Sequence, residues 1–272
     1  MNTLLVIQKD SLYAPYYIQR ILENMKHFEM KMPAAICCFY PTGHDFLKKQ
    51  ALKRLQLYGS KQFIYFCNLV LITKILSYLG NFISFKRYYS ISKICHDFDI
   101  PYFEISSINS DYFHNIINEK QIKILISIAV NEKFSHRTIN KVPYALNVHS
   151  SLIPAYRGLM GLFWAHFDGK TSTGVTIHRM VSKYDAGAIM GQCKVPITDD
   201  DSLHLLYLKA IDRGSSMITN VIEQINTNKA SEFIPDTSNS RYYSFPSKLD
   251  GLKYRAQGHD FFKLKDLWRH SH

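Results

Sequence analysis

"ALNVHSSLIPAYRG", Ala145 to Gly158, ends an apolar run with an Asn, a His, two hydroxyls, a proline and an Arg-Gly pair. A strand that only fills a core needs none of these groups. Asn147 and His149 stand two residues apart, and on extended backbone such residues point to one face. An Asn amide placed there can donate to an oxygen that gains negative charge. A His can move a proton near neutral pH. The stretch reads as a strand that ends in chemistry.

The flanking sequence supplies partners for that strand. "IKILISIAV", Ile122 to Val130, is the strongest strand pattern in the chain, with Asn131 and Glu132 just past its end. Thr3 to Ile7, Ala34 to Tyr40 and Tyr102 to Ile105 are shorter apolar runs, the second closed by a turn at Pro41 to Gly43. Tyr17, Ile18, Ile21 and Leu22 give residues 13 to 25 a helical period, and residues 46 to 95 read as mostly helical. Downstream, "STGVTIHRM" (Ser172 to Met180) alternates, with Val175 and Ile177 on one side and Thr176 and His178 on the other. "VSKYDAG" is a turn holding Asp185, and Ala186 to Ile197 is another strand-like run. Ser202 to Asn226 reads as a long amphipathic helix with Ser202 as N-cap. Short apolar strands alternating with helices predict an α/β fold with a mostly parallel sheet flanked by helices. Ligands in such sheets sit beyond the carboxyl ends of the strands. The composition turns polar at Thr227, so residues 1–226 are expected to form the catalytic domain. Residues 227–272 are expected to form a short C-terminal appendage, a tail or small subdomain.

A chain of 272 residues, 46% hydrophobic and 20% charged, has the makings of a sizeable core. Its net charge of +11 suits anionic partners as well as plain solubility. The basic residues are mostly scattered, the tightest group being Lys48, Lys49, Lys53 and Arg54, and no RNA-binding aromatic motif accompanies them. Five cysteines without a CxxC predict reduced thiols, no metal site and a cytoplasmic protein. The N-terminal apolar run is too short for a signal peptide and lacks a basic region before it. "FIYFCNLVLITKILSYLGNFI", Phe63 to Ile83, is long enough to cross a bilayer. Asn68, Lys74, Ser77 and Asn81 interrupt it, which favours a buried or half-buried helix over a membrane contact. The alternative is a contact lying on the surface, with Lys86 and Arg87 toward acidic lipid.

Asp185, in its turn, can orient or charge-stabilise His149. An Asn donor, a His base and a carboxylate together suit acyl transfer to an amine. Taken singly, a His at a strand end is more often structural, and neither N-x-H nor "YDAG" says much. Their order and the elements between them say more. "LNVHSSLIPAYRG", "TSTGVTIHRM" and "YDAGAIMGQ" together resemble the folate-dependent formyltransferase family. That family includes methionyl-tRNA, glycinamide ribonucleotide and sugar-nucleotide N-formyltransferases. Its pattern is N-x-H-x-S-L-L-P, often R-G, then G-x-T-x-H, then D-x-G. The resemblance covers about residues 120 to 225, and the N-terminal part in outline.

The resemblance implies a Rossmann-like fold, with Asn147, His149 and Asp185 as catalytic residues. It implies N10-formyltetrahydrofolate as formyl donor. The pterin would lie along Ala129, Val130, Asn131 and Lys133 and against the turn before Asp185, at Tyr184. Ser150, Arg157 and Gly158 would border the acceptor amine. Ser150 and Ser151 could equally cap a turn, and Arg157 could equally pair with a carboxylate. His178, Phe163 and Trp164 read as structural, and the tail Arg241 to Phe262 as packing on the main domain. Gly161 departs from the pattern, since the family often has a proline there, and this leaves the acceptor open.

The acceptor expected is a nucleotide-linked amino sugar, whose diphosphate the basic charge suits. Only 46 residues of 272 follow Asn226, against the C-terminal barrel of methionyl-tRNA formyltransferase. Glycinamide ribonucleotide enzymes typically lack the Arg-Gly pair. The alternatives are methionyl-tRNA formyltransferase, formyltetrahydrofolate hydrolase, and a catalytically silent folate-binding protein, which the intact Asn147, His149 and Asp185 oppose. Neither nucleic acid nor membrane is expected as a partner, and a homodimer is the assembly guessed.

Overall fold

Apolar runs with no polar alternation have no side to offer water, and they suit strands covered on both faces. The computed structural model, which describes residues 1–40, 44–238 and 240–266, places them so. The turn expected at Pro41 to Gly43 lies outside the described residues. The chain runs β1 (Thr3–Gln8), α1 (Ala14–His27), β2 (Ala35–Phe39), α2 (His44–Leu79), α3 (Ile91–Asp97), β3 (Tyr102–Ile105), α4 (Asp111–Glu119) and β4 (Ile124–Ile128). It continues through α5 (His136–Ile139), β5 (Tyr144–His149), β6 (Arg157–Gly158), α6 (Gly161–Phe167), β7 (Ser172–Arg179) and β8 (Ile189–Pro196). It closes with α7 (Leu203–Asn226), β9 (Tyr242–Tyr243) and α8 (Lys248–Ala256).

The main sheet has seven strands in the order β3-β2-β1-β4-β5-β7-β8. The first five are parallel, and β7 and β8 add an antiparallel edge. This is the α/β, Rossmann-like architecture expected. Its two faces carry separate cores. On one, α1 and α7 bury Ile18, Leu22, Leu206 and Ile218 over Leu5, Ile126 and Val148. On the other, Phe113, Ile116 and Ile117 of α4 cover Leu4, Val6 and Leu125. Ser202 does cap α7, its hydroxyl accepting from Leu205 N at 3.0 Å and donating to Asp266 at 2.6 Å. The segment after α7 returns to the main core. Tyr254 and Phe261 are fully buried beside Phe163 of α6, so Phe163 is a core residue as expected.

Phe63 to Ile83 is helical as far as Leu79 and half-buried, one of the two forms expected of it. Gly59, at φ 74°, breaks α2. Leu57 and Tyr58 before it and Gln62 and Leu69 beyond it are buried, with Tyr58 and Phe66 against Phe262. Ile64, Leu71, Ile72, Ile75 and Tyr78 stay in the open. Hydropathy reports what a segment would prefer, not whether anything lies over it.

Candidate active site

The register of two strands builds the site. β7 runs antiparallel to β5, with Asn147 opposite His178 and His149 opposite Thr176. Directly opposed side chains on one face stand close enough to interact. Asn147 Nδ2 lies 3.3 Å from His178 Nε2. His178 Nδ1 donates to the Arg179 carbonyl at 2.8 Å, which turns Nε2 toward both the Asn147 amide and the Asp185 carboxylate.

His149 is buried at the strand end. Its Nε2 donates to the Tyr156 carbonyl at 2.8 Å, which leaves Nδ1 as the basic nitrogen of the neutral ring. Asp185 Oδ1 stands 3.7 Å from that Nδ1 and 3.5 Å from His178 Nε2. Burial lowers the His149 pKa, opposed by the Asp185 charge. Burial pushes Asp185 up, but the His178 contact, the His149 charge and the Gly158 N–H outweigh it and hold the carboxyl at about 2. At neutral pH the pair is a carboxylate beside an uncharged imidazole, ready to take a proton on Nδ1. Asp185 itself sits at φ 49°, a left-handed conformation that a non-glycine residue keeps only when its surroundings hold it there.

The hold is visible. Gly158 N donates to Asp185 Oδ2 at 2.8 Å. Arg157 Nε and Nη2 donate to the carbonyls of Asp185 and Tyr184 at 3.0 and 2.7 Å, and Nη1 to Ser240 Oγ at 3.0 Å. All three guanidinium nitrogens bond protein, and the residue is 4% exposed. Arg157 is therefore a clamp on the Asp185 turn rather than an open anion site, which corrects the sequence reading. Gly158 is also positional. It pairs with Tyr243 of β9 at φ 100°, and a Cβ there would lie 2.1 Å from the Tyr243 carbonyl oxygen. Ser151 is wholly buried and bonds the Tyr156 carbonyl, while Ser150 is half-buried. Gly161 fits a tight place: a Cβ would meet the Ser151 Cβ at 2.5 Å.

Past the end of β4, Ala129 is exposed at φ 56°, Val130 is half-buried, and Asn131 and Lys133 are exposed. Lys133 Nζ lies 5.1 Å from the centre of the exposed Tyr184 ring, so the two segments expected to meet do meet. Glu132 pins this loop, accepting from Ser107 Oγ at 2.6 Å, Ile108 N at 2.9 Å and Asn109 Nδ2 at 3.1 Å. An anchored loop with exposed residues, one cation and one aromatic face is a fitting wall for a flat heterocycle with an anionic tail.

Three contributors escaped the sequence reading. His178, read as structural, touches both Asn147 and Asp185. Thr176 and Gln192 hold the chain after His149: Thr176 Oγ1 donates to Ser151 O at 2.7 Å, and Gln192 Nε2 donates to Ile153 O at 2.7 Å. The alternation of "VTIH" put Thr176 and His178 on one side and was the available signal. What faced that side was not.

Residues 113–222 match a protein-family model described as formyl transferase. Among solved structures, the N-formyltransferase from Helicobacter canadensis, in complex with folinic acid and dTDP-3-aminofucose, superposes with a TM-score of 0.54. It is 17% identical over 90% of this chain and 71% of that one. A 4-N formyltransferase from Francisella tularensis gives 0.53 at 17% identity, over 89% of this chain and 76% of that one. Glycinamide ribonucleotide transformylase 1 from Symbiobacterium toebii gives 0.59 at 14% identity, over 87% and 95%. At these identities the superpositions establish the shared fold.

Proposed function

We propose that this chain, whose residues 113–222 match a formyl transferase family model, is a formyltransferase that moves the formyl group of N10-formyltetrahydrofolate onto the primary amine of a nucleotide-linked amino sugar. The observation that carries the reading is the Asp185 carboxylate set between His149 and His178, at 3.7 and 3.5 Å, with Asn147 across the ladder. The donor, bound along Ala129 to Lys133 and Tyr184, would supply an electrophilic one-carbon unit. His149 Nδ1 takes the proton that the acceptor amine must lose, the Asp185 charge steadies the imidazolium so formed, and the proton returns to the donor nitrogen as its bond to the formyl carbon breaks. The Asn147 amide donates to the oxygen on which negative charge develops. Arg157 and the Gly158 N–H keep the carboxylate aimed. The five free cysteines fit a reducing, cytoplasmic setting.

The amino-sugar acceptor is favoured by the C-terminal segment. Its β9 pairs with Arg157 and Gly158 and brings the exposed Tyr242 close enough to Asp185 and Tyr184 to feel the carboxylate. The test is turnover: the purified chain with formyl-folate and a panel of nucleotide-linked amino sugars, with glycinamide ribonucleotide and initiator methionyl-tRNA as competing acceptors. Transfer to an amino sugar that vanishes in His149→Ala supports the proposal. Faster formylation of either competitor, or folate binding with transfer to no amine, refutes it.

A further inference from the structure

The surface around α2 carries most of the charge of the protein. From Phe46 to His96 there are nine Lys or Arg and not one Asp or Glu, while the rest of the chain has 24 basic against 22 acidic residues. Nine of the eleven net charges therefore sit in 51 residues. Six of the nine, Lys48, Lys49, Lys53, Lys61, Lys74 and Lys86, are exposed.

The same segment carries the uncovered apolar side of α2. Ile64, Leu71, Ile75 and Tyr78, with Phe82 and Ile83 in the turn that follows, are each at least 50% exposed. The four helical ones recur at i, i+7, i+11 and i+14, which puts them in one stripe along the helix. Lone exposed apolar residues need no explanation, but a stripe of this length without a cover does. The opposite side cannot leave the protein. Gln62 accepts from Phe262 N at 2.8 Å, and Leu57 and Leu69 sit in the main core. The exit is tied as well, Gln19 bonding Lys86 O at 3.0 Å and Tyr88 N at 2.9 Å. A helix held along its length on one side does not span a bilayer, but it can lie in the plane of one.

We infer that this face docks on an anionic lipid bilayer, the apolar stripe entering the headgroup region and the lysines meeting the lipid phosphates. The charge decides between occupants. A second copy would set six exposed lysines against six, whereas an acidic leaflet is their complement. Apolar burial together with basic attraction is the physics of interfacial helices, here with the docked side of the helix replacing the usual polar face.

The test is flotation of the full chain with vesicles of phosphatidylcholine alone and with about a third phosphatidylglycerol. The protein should float with the anionic vesicles only, and about 1 M NaCl, where the screening length is about 3 Å, should release much of it. Leu71→Gln/Ile75→Gln should lower the partition constant about tenfold or more. Lys61→Gln/Lys74→Gln should lower it about fivefold for each lysine removed. All four side chains are exposed, so circular dichroism and Tm should stay unchanged. The inference fails if the parent stays at the bottom of the gradient at low salt, or if both variants float as the parent does. It also fails if sedimentation velocity finds a dimer, unbound to vesicles, that Leu71→Gln/Ile75→Gln splits. The readout is lipid binding, so it stands or falls apart from the formyl-transfer reading.

Discussion

Replacing Asp185 by Asn keeps the shape of the side chain and its acceptor oxygen for Gly158 N, and removes the charge between two imidazoles. The folded protein holds this carboxyl at about 2, against an ordinary 3.8. At about 1.4 kcal/mol per factor of ten, that shift contributes about 2 kcal/mol of stability. The side chain is 11% exposed, so solvent screens little of it. The folded value lies below the unfolded one. The contribution is therefore complete well above pH 3.8 and is lost as the pH falls toward 2, with about half gone near pH 3. Carbon-13 NMR of the Asp185 carboxyl between pH 5 and pH 2 reads this term directly, with a midpoint near 2 rather than near 3.8. Its protonation alone should cost the parent about 1 kcal/mol of stability by pH 3. Turnover of Asp185→Asn at pH 7 should fall by about 10²- to 10⁴-fold. A carboxyl that titrates at the ordinary 3.8, together with unchanged kcat in Asp185→Asn, would refute the claim that the carboxylate is paired with the histidines and serves the chemistry.

Because burial lowers His149, the acid limb of kcat/KM for the acceptor should have its midpoint below 6.5, with activity rising as the ring loses its proton; a midpoint above that value would contradict a buried base. Gly158→Ala would place a Cβ 2.1 Å from the Tyr243 carbonyl at φ 100°, so β9 should come away and the aim of Asp185 suffer, read as a lower Tm and a kcat loss beyond that of Tyr243→Ala. Phe163→Ala, which empties a fully buried ring site against Tyr254 and Phe261, should cost about 3–5 kcal/mol in urea unfolding. Burial pushes the Cys37 thiol to about 12 and Cys38 to about 11; a thiol reagent should therefore label the exposed Cys67 first and reach that pair only on unfolding.

Much of the framework can be read from local pattern alone. Unbroken apolar runs mark β1, β2 and β4, because a strand covered on both faces needs no alternation. A two-residue spacing puts Asn147 and His149 on one face of β5, and Ser202 before an amphipathic run caps α7. These are statements about neighbours along the chain, where geometry follows directly from backbone period. Three others were not available there. Arg157 reads equally as an anion binder or a partner of protein groups, and only the return of residues 184, 185 and 240 to its guanidinium settles it as a clamp. His178 enters the site because β7 pairs antiparallel to β5 in a register set across a gap of about thirty residues. Which side of the half-buried helix in Phe63 to Ile83 is covered depends on what packs over it, and composition does not say.

The sequence by itself determined the α/β plan, which depends on periods within a few positions, and pointed to the type of chemistry through the order of three motifs that resemble one family. The tertiary structure decided which polar groups meet and which apolar faces stay uncovered. The reason is that a contact between distant segments, like the burial of a side chain, depends on what else arrives at the same place.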